Sequence, residues 1–426
     1  MEQNIKQRIT DIRRGNVPAG YKRTKLGIIP IDWQTPQLNS VLSENKERNR
    51  SGMFGKEDVL SVSGEFGVTN QIELLGRSFA GVSIKDYHVV ESGNIVYTKS
   101  PLKSNPYGII KLNKGETGIV STLYAVYNCK SHEIGTYLDY YFSVDRNVNS
   151  YLRPLVRKGT KNDMKINNED ALKGCIILPP EAEITKIVKI LGCCDRGIAL
   201  KKELIAEKKR QKKALMQKLL NPDSGYRLPG FSGEWKRYSV SEICTIESGG
   251  TPATSDEECW GGKVFWCTPS DITNSGKYIY STPQTITQRG IENSSATLLP
   301  IGSIIMCSRA SIGPRCITRV PMTTNQGFKN FICSKSVYNE FWYYFIDTIL
   351  EDLYKLASGN TFKEISKSAI ANYHVVIPPS YEEQQAIADI LSAADREIDL
   401  LEQELAQQQQ KKKSLMQLLL TGIVRV

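Results

Sequence analysis

The feature that most constrains the fold is an internal repeat at an offset of 200 residues. Residues 171–220 and 370–420 follow the same pattern: Asp195-Arg196 recurs as Asp395-Arg396, and Leu215-Met216-Gln217 recurs as Leu415-Met416-Gln417. Solenoid repeats span only roughly 20–50 residues, so a unit this large indicates two copies of a whole globular domain. A chain of 426 residues has room for two such domains, each with its own core.

The repeat is circular as well as tandem. The N-terminal segment leads into Gly20-Tyr21-Lys22 and then Trp33, just as the end of the first repeat leads into Gly225-Tyr226-Arg227 and then Trp235. The start of the chain therefore repeats the tail of a long helix and its exit. The pattern predicts five parts: an N-terminal helix over 1–15, globular domain 1 over 16–179, spacer helix 1 over 180–220, globular domain 2 over 223–379, and spacer helix 2 with a C-terminal tail over 380–426.

The two spacer helices carry clear start and stop signals. Spacer helix 2 follows Pro378-Pro379, and Ser380 with Glu383 forms the sequence pattern of a capping box. Gly422 is placed to end that helix. Spacer helix 1 follows Pro179-Pro180 and stops at Asn221-Pro222. Each helix would be about 40 residues, or roughly 60 Å, long.

Both spacer helices have apolar residues at the 3-4 spacing of a coiled coil, with polar residues toward the middle. The predicted seam comprises Leu191, Ile198, Ile205, Leu215 and Leu219 in the first helix, and Leu391, Ile398, Leu401, Leu405, Leu415 and Leu419 in the second. Residues 201–218 hold eight Lys or Arg against two Glu, and residues 382–404 hold eight Asp or Glu against one Arg, which favours antiparallel pairing. The alternative is that the basic stretch is a solvated face or contacts phosphates.

The globular domains show short apolar runs bounded by Gly, Pro and Asn, which predict buried strands near residues 93–97, 176–178, 302–306 and 375–377. Aromatic runs at 137–142 and 340–345 predict helices packed on a sheet. We therefore predict an α+β fold class: two similar globular domains joined by two long helices that form an antiparallel coiled coil, with a circular pseudo-two-fold internal repeat.

Several kinds of chemistry lack a sequence signal. No phosphate-binding GxxxxGK[ST] loop, no GxGxxG after a strand and no NPPY-type amino-methyltransferase motif occurs. The ten cysteines and three histidines show no metal-ligand spacing, which predicts no metal site and free thiols in a reducing cytoplasm. No apolar run reaches the roughly 20 residues of a membrane span. Two repeated domains without a repeated acid–base constellation predict binding, with no catalytic residues on this chain.

The polar loops that recur at matching places are the candidate binding residues. Their side chains suit DNA contacts, because Arg and Lys reach guanine edges or phosphates while Asn and Gln reach adenine. The net charge of +10 also suits a polyanion. The alternative is ordinary turn chemistry. The predicted DNA-binding residues are Lys99, Ser100, Ser121, Thr122, Thr160, Lys161, Ser270, Asp271, Ser308, Arg309, Asn325, Gln326, Asn360, Thr361 and Lys363.

Nearly the whole chain resembles the DNA-specificity subunits of type I restriction–modification enzymes. Individually weak strings carry this resemblance by their order. They are Leu228-Pro229-Gly230-Phe231, Gly249-Gly250-Thr251-Pro252, Thr268-Pro269-Ser270-Asp271-Ile272, Ser308-Arg309-Ala310-Ser311, Thr324-Asn325-Gln326-Gly327, Gly359-Asn360-Thr361-Phe362, Ile377-Pro378-Pro379, Glu383-Gln384-Gln385 and Leu415-Met416-Gln417. The first half fits less closely, since it lacks the Thr-Pro-Ser-Asp-Ile string and the Glu-Gln pair after its Pro-Pro. The two domains are thus expected in different subfamilies, each reading a different half-site.

The resemblance implies a non-catalytic subunit with two target recognition domains on an antiparallel coiled coil. It implies double-stranded DNA as a partner, together with two modification subunits and, in the full complex, restriction subunits. It implies no cofactor on this chain, because S-adenosylmethionine belongs to the modification subunits. Two other hypotheses remain at this point: a self-contained DNA-modifying enzyme, and a coiled-coil scaffold without a nucleic-acid role.

Overall fold

The structure is a computed structural model that describes residues 2–158, 164–359 and 363–426. It divides into two compact units. The first unit comprises Met1–Leu200 and Leu405–Val426, and the second unit comprises Lys201–Glu404. The division passes through both long helices, so each unit contains one part of each helix. Among the described residues, no helix is both long and apolar enough to span a bilayer.

The first unit begins with a short helix and then alternates strands with a few helices until the first long helix leaves it. In chain order its elements are α1 (Glu2–Arg13), β1 (Tyr21–Thr24), β2 (Gly27–Pro30), β3 (Leu42–Glu44), β4 (Leu60–Ser63), β5 (Gly67–Asn70), α2 (Gln71–Leu75), β6 (His88–Val90), β7 (Ile95–Thr98), β8 (Ile109–Leu112), β9 (Gly118–Val120), β10 (Tyr124–Cys129), α3 (His132–Phe142), α4 (Asp145–Leu152), β11 (Arg157–Lys158), β12 (Met164–Lys165) and α5 (Glu181–Leu219).

The elements that follow are β13 (Lys236–Ser239), α6 (Val240–Ile243), β14 (Cys244–Ser248), β15 (Trp260–Cys267), α7 (Pro269–Ser275), β16 (Tyr278–Ile279), β17 (Thr285–Ile286), α8 (Gln288–Glu292), β18 (Ile304–Cys307), β19 (Arg315–Thr318), β20 (Met322–Thr324), β21 (Phe328–Cys333), α9 (Asn339–Lys355), α10 (Lys367–Ala371), β22 (His374–Ile377) and α11 (Tyr381–Leu419).

The two globular domains share one sheet topology. The first has strand order β3-β10-β7-β8, and the second has β14-β21-β18-β19 with β16 added at the edge. β7 and β18 are central and buried at every residue, which suits apolar runs covered on both faces. α3 and α9 supply aromatic side chains to the respective cores, including Tyr137 and Trp342. The predicted α+β class and internal repeat are thus confirmed.

Outside this shared sheet the two domains pair strands in the same directions but over different lengths: the parallel pairing of β15 with β20 is a single bridge, Val59↔Ile119, in the first domain. The first domain carries the hairpin β4–β5 and the pair β6–β9, whereas the second carries a three-stranded sheet of order β17-β15-β20. In that sheet β15 runs parallel to β20 and antiparallel to β17.

The long helices pair antiparallel within each unit. In the second unit Lys201 contacts Glu404 at 2.5 Å, Lys208 contacts Glu397 at 2.6 Å, and Lys212 contacts Asp395. Partner numbers fall on α11 as they rise on α5, which defines the direction. In the first unit Lys412 contacts Asp195. The basic-against-acidic match predicted from the sequence is the observed arrangement.

Each unit also pairs a buried glutamate near the start of a long helix with a partly exposed arginine. In the second unit Arg227 donates to both carboxylate oxygens of Glu383, at 2.7 and 2.6 Å. In the first unit Arg425 donates to Glu183 at 2.7 Å, and the indole of Trp33 donates to the same carboxylate at 2.9 Å. Both arginines follow the end of a long helix, so the circular repeat extends to single side chains.

Chain start and chain end meet within the first unit. Arg8 donates to the Ile423 carbonyl at 2.6 Å, and the Tyr21 hydroxyl donates to the Gly422 carbonyl at 2.7 Å. Gly422 has a φ of 68°, which ends the second long helix as predicted.

Two local predictions were wrong. Residues 176–178 form no regular strand but two isolated bridges, Gln34↔Leu178 and Gln37↔Cys175, because Pro36 between them has no N–H to donate. The capping box is only half formed. Ser380 accepts from the Glu383 N–H at 3.2 Å, but the Glu383 carboxylate binds Arg227 instead of returning to Ser380.

Candidate nucleic-acid interface

In the second unit, the loop after β14 packs directly on the turn between β20 and β21. The Gly250 N–H donates to the Thr324 carbonyl at 2.8 Å, and the Trp266 indole donates to the Gly250 carbonyl at 2.9 Å. A Cβ at Gly249 would lie 1.9 Å from the Asn325 carbonyl oxygen. Glycine is therefore required at this position by the close approach of two backbones.

The predicted residues Asn325 and Gln326 occupy that turn. The Asn325 Oδ1 accepts from the Gly327 N–H at 2.9 Å, which shapes the turn and leaves the amide NH₂ as a donor. Gln326 is exposed, and its Oε1 accepts from the Thr251 hydroxyl. The two amides thus stand side by side at the end of the sheet, held by neighbouring loops.

The loop after β18 joins this group from the other side. Ser308 is fully buried and donates both its N–H, at 2.8 Å, and its hydroxyl, at 3.1 Å, to the Gly327 carbonyl. Ser308 therefore anchors the loop, and its DNA contact stays a prediction from the sequence. Arg309, whose side chain is 48% exposed, projects from the loop with Glu364 at 3.9 Å.

Ala310 is strained in a way that suits a functional loop. Its φ is 63°, a left-handed value that few residues other than glycine adopt and that costs of order 1 kcal/mol. The Ala310 N–H donates to the Lys363 carbonyl at 3.1 Å, and the Ile365 N–H donates to the Ser308 carbonyl at 3.1 Å. These bonds hold the strained conformation and bring Lys363 to the same loop cluster.

Lys363 is exposed, with its ammonium 4.1 Å from the Tyr354 ring centroid. A nearby lysine, Lys329, is buried and binds Glu364 at 3.4 Å. Two other predicted residues of this segment, Asn360 and Thr361, lie outside the described residues.

The remaining predicted pair in this domain lies at the start of α7. The Asp271 carboxylate accepts from the Thr268 N–H at 2.8 Å and from the Thr268 hydroxyl at 2.7 Å. Asp271 therefore caps the helix. Ser270 is exposed, 2.9 Å from the Thr268 hydroxyl. This loop reaches the others through the Asn325 N–H, which donates to the Cys267 carbonyl at 3.0 Å.

The first unit places its predicted residues at the equivalent end of its sheet. Tyr124 pairs with Thr98 across β10 and β7, so Lys99 and Ser100 lie beside the turn that contains Ser121 and Thr122. Ser100 and Thr122 are exposed and Ser121 is half-buried. Thr160 and Lys161, between β11 and β12, lie outside the described residues.

Lys99 is tied to the protein. Its ammonium donates to the Asn168 Oδ1 at 2.7 Å, and the Asn168 amide donates to the Glu44 carboxylate at 2.7 Å. Burial lowers the pKa of the Lys99 amine, and the Glu44 carboxylate opposes that change. A direct contact from Lys99 to DNA would have to compete with Asn168.

The residues of the predicted helix seam fall in two burial classes. Those that are buried are Leu191, Ile205, Leu219, Leu391, Ile398 and Leu419. Those that are half-buried are Ile198, Leu215, Leu401, Leu405 and Leu415. Among the described residues, no group of three or more His, Cys, Asp or Glu side chains is placed to hold a metal ion.

The sequence prediction missed three contributors: Thr251, Lys329 and Asn168. Thr251 stands in the Gly-Gly-Thr-Pro string, so the string itself was a usable signal. Lys329 and Asn168 act through partners distant in the chain, Glu364 and Lys99. No local pattern marks either of them.

Comparison with known proteins fits this geometry. Residues 232–409 match the family model of the type I restriction modification DNA specificity domain. The sequence-based recognition of this class is confirmed: the chain resembles the specificity subunits of type I restriction enzymes.

Three curated relatives show how far the resemblance extends. The MjaIX specificity subunit of Methanocaldococcus jannaschii is 37% identical over 190 residues, which are 43% of this chain and 43% of that protein. The EcoR124I/EcoR124II specificity subunit of Escherichia coli is 28% identical over 51% of this chain and 53% of its own length. The chain thus spans about half the length of these two. The putative MjaX subunit of M. jannaschii is 25% identical over 95% of this chain and 97% of its own length.

Solved structures support the fold. A chain from a type I restriction–modification system superposes with a TM-score of 0.56 at 18% identity, covering 93% of this chain and 99% of its own. The S subunit of a type I system from M. genitalium superposes with a TM-score of 0.54 at 14% identity, covering 91% of this chain and 96% of its own.

Proposed function

We propose that this chain is the sequence-specific DNA-binding subunit of a type I restriction–modification complex. Each globular domain reads one half of a bipartite asymmetric target in double-stranded DNA. The observation that carries this proposal is the convergence of separate polar loops at the same end of the shared sheet in both domains. In the second domain these loops hold Arg309, Asn325, Gln326 and Lys363.

The proposed contacts divide by chemistry. Arg309, Asn325 and Gln326 are donors of the kind that reads base edges, whereas Lys363 suits a phosphate. In the first domain Ser100, Ser121 and Thr122 are proposed contacts, together with Thr160 and Lys161, which lie outside the described residues. Asn360, Thr361 and Ser270 complete the set in the second domain, while Ser308 and Asp271 shape the loops that carry it.

The proposed partners follow from the class. Two modification subunits, which bind S-adenosylmethionine and methylate adenine, dock on the paired long helices, and restriction subunits join the full complex. The chain itself contributes recognition and no catalytic group, and it works in the cytoplasm. Isothermal titration of the isolated chain with S-adenosylmethionine should give no heat of binding; saturable binding would favour the self-contained enzyme.

The direct test is single-molecule methylome sequencing of cells that express the chain with its modification subunits. We expect two short, different half-sites separated by an unspecified gap. A continuous motif or a perfect palindrome would refute the proposal. Duplex DNA binding by the chain should fall steeply with salt, because phosphate contacts release counterions, whereas a scaffold without a nucleic-acid role would show no binding.

The long helices are proposed to set the gap. Inserting one heptad near Gln211 and one near Gln408 preserves the seam and adds roughly 10 Å of helix. At about 3.4 Å per base pair, the gap should lengthen by one to three base pairs while both half-sites stay the same. A variant that assembles and still methylates targets with the original gap length would show that the helices do not set the gap.

A further inference from the structure

The same three-residue contact occurs once in each unit. The first clasp consists of Tyr140, Asp195 and Lys412, and the second clasp consists of Tyr344, Asp395 and Lys212. In the second clasp the Tyr344 hydroxyl donates to Asp395 Oδ2 at 2.5 Å, while the Lys212 ammonium binds Oδ1. In the first clasp the Tyr140 hydroxyl donates to Asp195 Oδ2 at 2.7 Å, while the Lys412 ammonium binds Oδ1.

Each clasp joins three elements of its own unit. The tyrosine belongs to the aromatic helix of the globular domain, the aspartate to one long helix, and the lysine to the other. The lysine ammonium also lies 5.3 Å from the tyrosine ring centroid in both clasps. Tyr140 and Tyr344 are buried, and their hydroxyl groups donate to the aspartates as buried polar groups usually must; the Tyr344 hydroxyl also donates to the Ser392 hydroxyl, over a longer distance of 3.3 Å.

The surroundings of the two clasps differ. Beside the second clasp, Lys277 donates to the Tyr344 hydroxyl at 3.1 Å and to Ser392 at 2.7 Å, and it binds Glu340 at 2.9 Å. Beside the first clasp, Lys114 binds Asp139 at 2.6 Å. The contact that both units share, despite unlike neighbours, is the tyrosine–aspartate–lysine arrangement itself.

A directional contact between the aromatic helix and the two long helices fixes how the globular domain is oriented on those helices. The aromatic helices also meet the long helices through apolar side chains, whose attraction has no preferred direction and tolerates small rotations. A carboxylate that accepts from two different elements allows one orientation only. Polar contacts of this kind can fix register rather than add much stability.

We propose that the six clasp residues are positioning residues that hold each recognition domain in one orientation on its helix pair, and thereby restrict the gap length that the protein accepts. The inference rests on the proposed function. Among the residues that the structure describes, the clasps touch no predicted recognition loop, so they act on spacing and leave the half-site bases unchanged.

The test uses the full chain assembled with its modification subunits. The substrates are duplexes that carry both half-sites at the natural gap or at a gap one base pair shorter or longer. The variant combines Tyr140→Phe with Tyr344→Phe, which removes two oxygens and keeps both rings. The matched control is Tyr343→Phe on the same helix, where the ring lies 4.8 Å from the Arg315 guanidinium.

In the double variant, methylation at altered gaps relative to the natural gap should rise about fivefold, which corresponds to the usual net free-energy contribution of a hydrogen bond. The control should keep the wild-type ratio. The double variant Asp195→Asn with Asp395→Asn should change the ratio in the same direction. If that variant does not fold, the tyrosine double variant alone tests the inference.

An equal fall in methylation at every gap, with the ratio unchanged, would overturn the inference and leave the clasps a purely structural role. A wild-type complex that methylates no bipartite target would instead overturn the proposed function. If the wild-type complex discriminates between gaps and the double variant discriminates equally well, the inference about the clasps is wrong while the proposed function stands.

Discussion

The two globular domains keep the same central sheet and differ in the loops at the end of that sheet. β3, β10, β7 and β8 in the first domain correspond to β14, β21, β18 and β19 in the second, and each sheet receives an aromatic helix. The loops at the sheet end differ: one domain has Ser121-Thr122 where the other has Asn325-Gln326. The comparison separates the sheet and helix contacts that both domains keep from the loop residues that differ between them, which are the residues proposed to contact DNA.

The largest expected effect concerns the Glu–Arg pairs. Arg227→Met leaves the Glu383 carboxylate, whose side chain is 2% exposed, without its partner. Breaking such a pair costs about 3–5 kcal/mol of unfolding free energy. Arg425→Met should cost less, because Glu183 keeps the Trp33 indole as a donor and Arg425 is more exposed, at 39%.

Denaturant unfolding monitored by hydrogen exchange would assign each loss of unfolding free energy to its unit. The control is Arg289→Met, because Arg289 pairs with Asp256 and Glu258 on the surface, where removal should have no measurable effect. Equal losses for Arg227→Met and Arg425→Met would mean that the Trp33 contact adds nothing and that the two pairs are equivalent.

The second effect concerns stability at low pH, which the first domain should lose more than the second. His88 on β6 is buried, and burial, aided by the charges of Arg48 and Lys99, lowers its pKa to about 4. The folded state therefore disfavours the proton that the unfolded chain takes up near pH 6.5. Stability from neutral His88 is fully present above about pH 6.5 and is lost as the pH falls toward 4, by up to roughly 3 kcal/mol.

Hydrogen exchange at pH 7.5, 6 and 4.5 should show the first domain opening before the second, whose His374 is exposed. His88→Leu should remove most of this pH dependence from the first domain. If the variant and the wild type lose stability in parallel, another group controls acid unfolding.

The third effect concerns recognition. Arg309→Ala and Asn325→Ala should each weaken binding by about 1–3 kcal/mol and relax only the half-site read by the second domain. Arg309→Lys keeps the charge but removes the bidentate donor, so it distinguishes a base contact, which should be lost, from a phosphate contact, which should be kept. Thr122→Ala is the matched change in the first domain, and methylation profiling should show the other half-site affected. Relaxation of both half-sites by one variant would contradict independent reading.

The smallest effect concerns the starts of the long helices. Ser380→Ala removes the side-chain acceptor of the Glu383 N–H and should cost about 1 kcal/mol. The first long helix has Pro180 before Glu181 and offers no equivalent side chain to remove. Thr185→Ala, which changes an exposed hydroxyl bound to the Glu181 carbonyl, is the control and should be neutral or slightly stabilising in thermal unfolding.

The repeat made much of the fold predictable. Two copies at a fixed offset offered two chances to recognise each buried strand, and the charge of residues 201–218 against 382–404 indicated the direction of helix pairing. The irregular pairing at 176–178 was missed because the proline that interrupts it, Pro36, lies far away in the chain. Glu383 was misassigned for the same reason, since Arg227 competes with the local cap.

The candidate site was less predictable than the fold. Sequence patterns marked the loops but not the roles inside them. Ser308 and Asp271 have suitable side chains for DNA, yet one is buried under Gly327 and the other caps α7. Such roles depend on contacts between distant loops, which residue type alone does not reveal. The lysines that interrupt the apolar seam gain acidic partners from the opposite helix.

The division of the chain between units has a consequence for biosynthesis. The second unit is built from one continuous stretch, Lys201–Glu404, whereas the first unit needs Leu405–Val426 as well. Leu419 and Leu420 belong to the core of the first unit, and Val424 and Val426 pack against it. The core of the first unit is therefore completed only by residues that are translated after the whole second unit. This reverses the usual order, in which a domain finishes folding before the one translated after it, and a stop codon shortly before residue 419 would leave the core of the first unit incomplete.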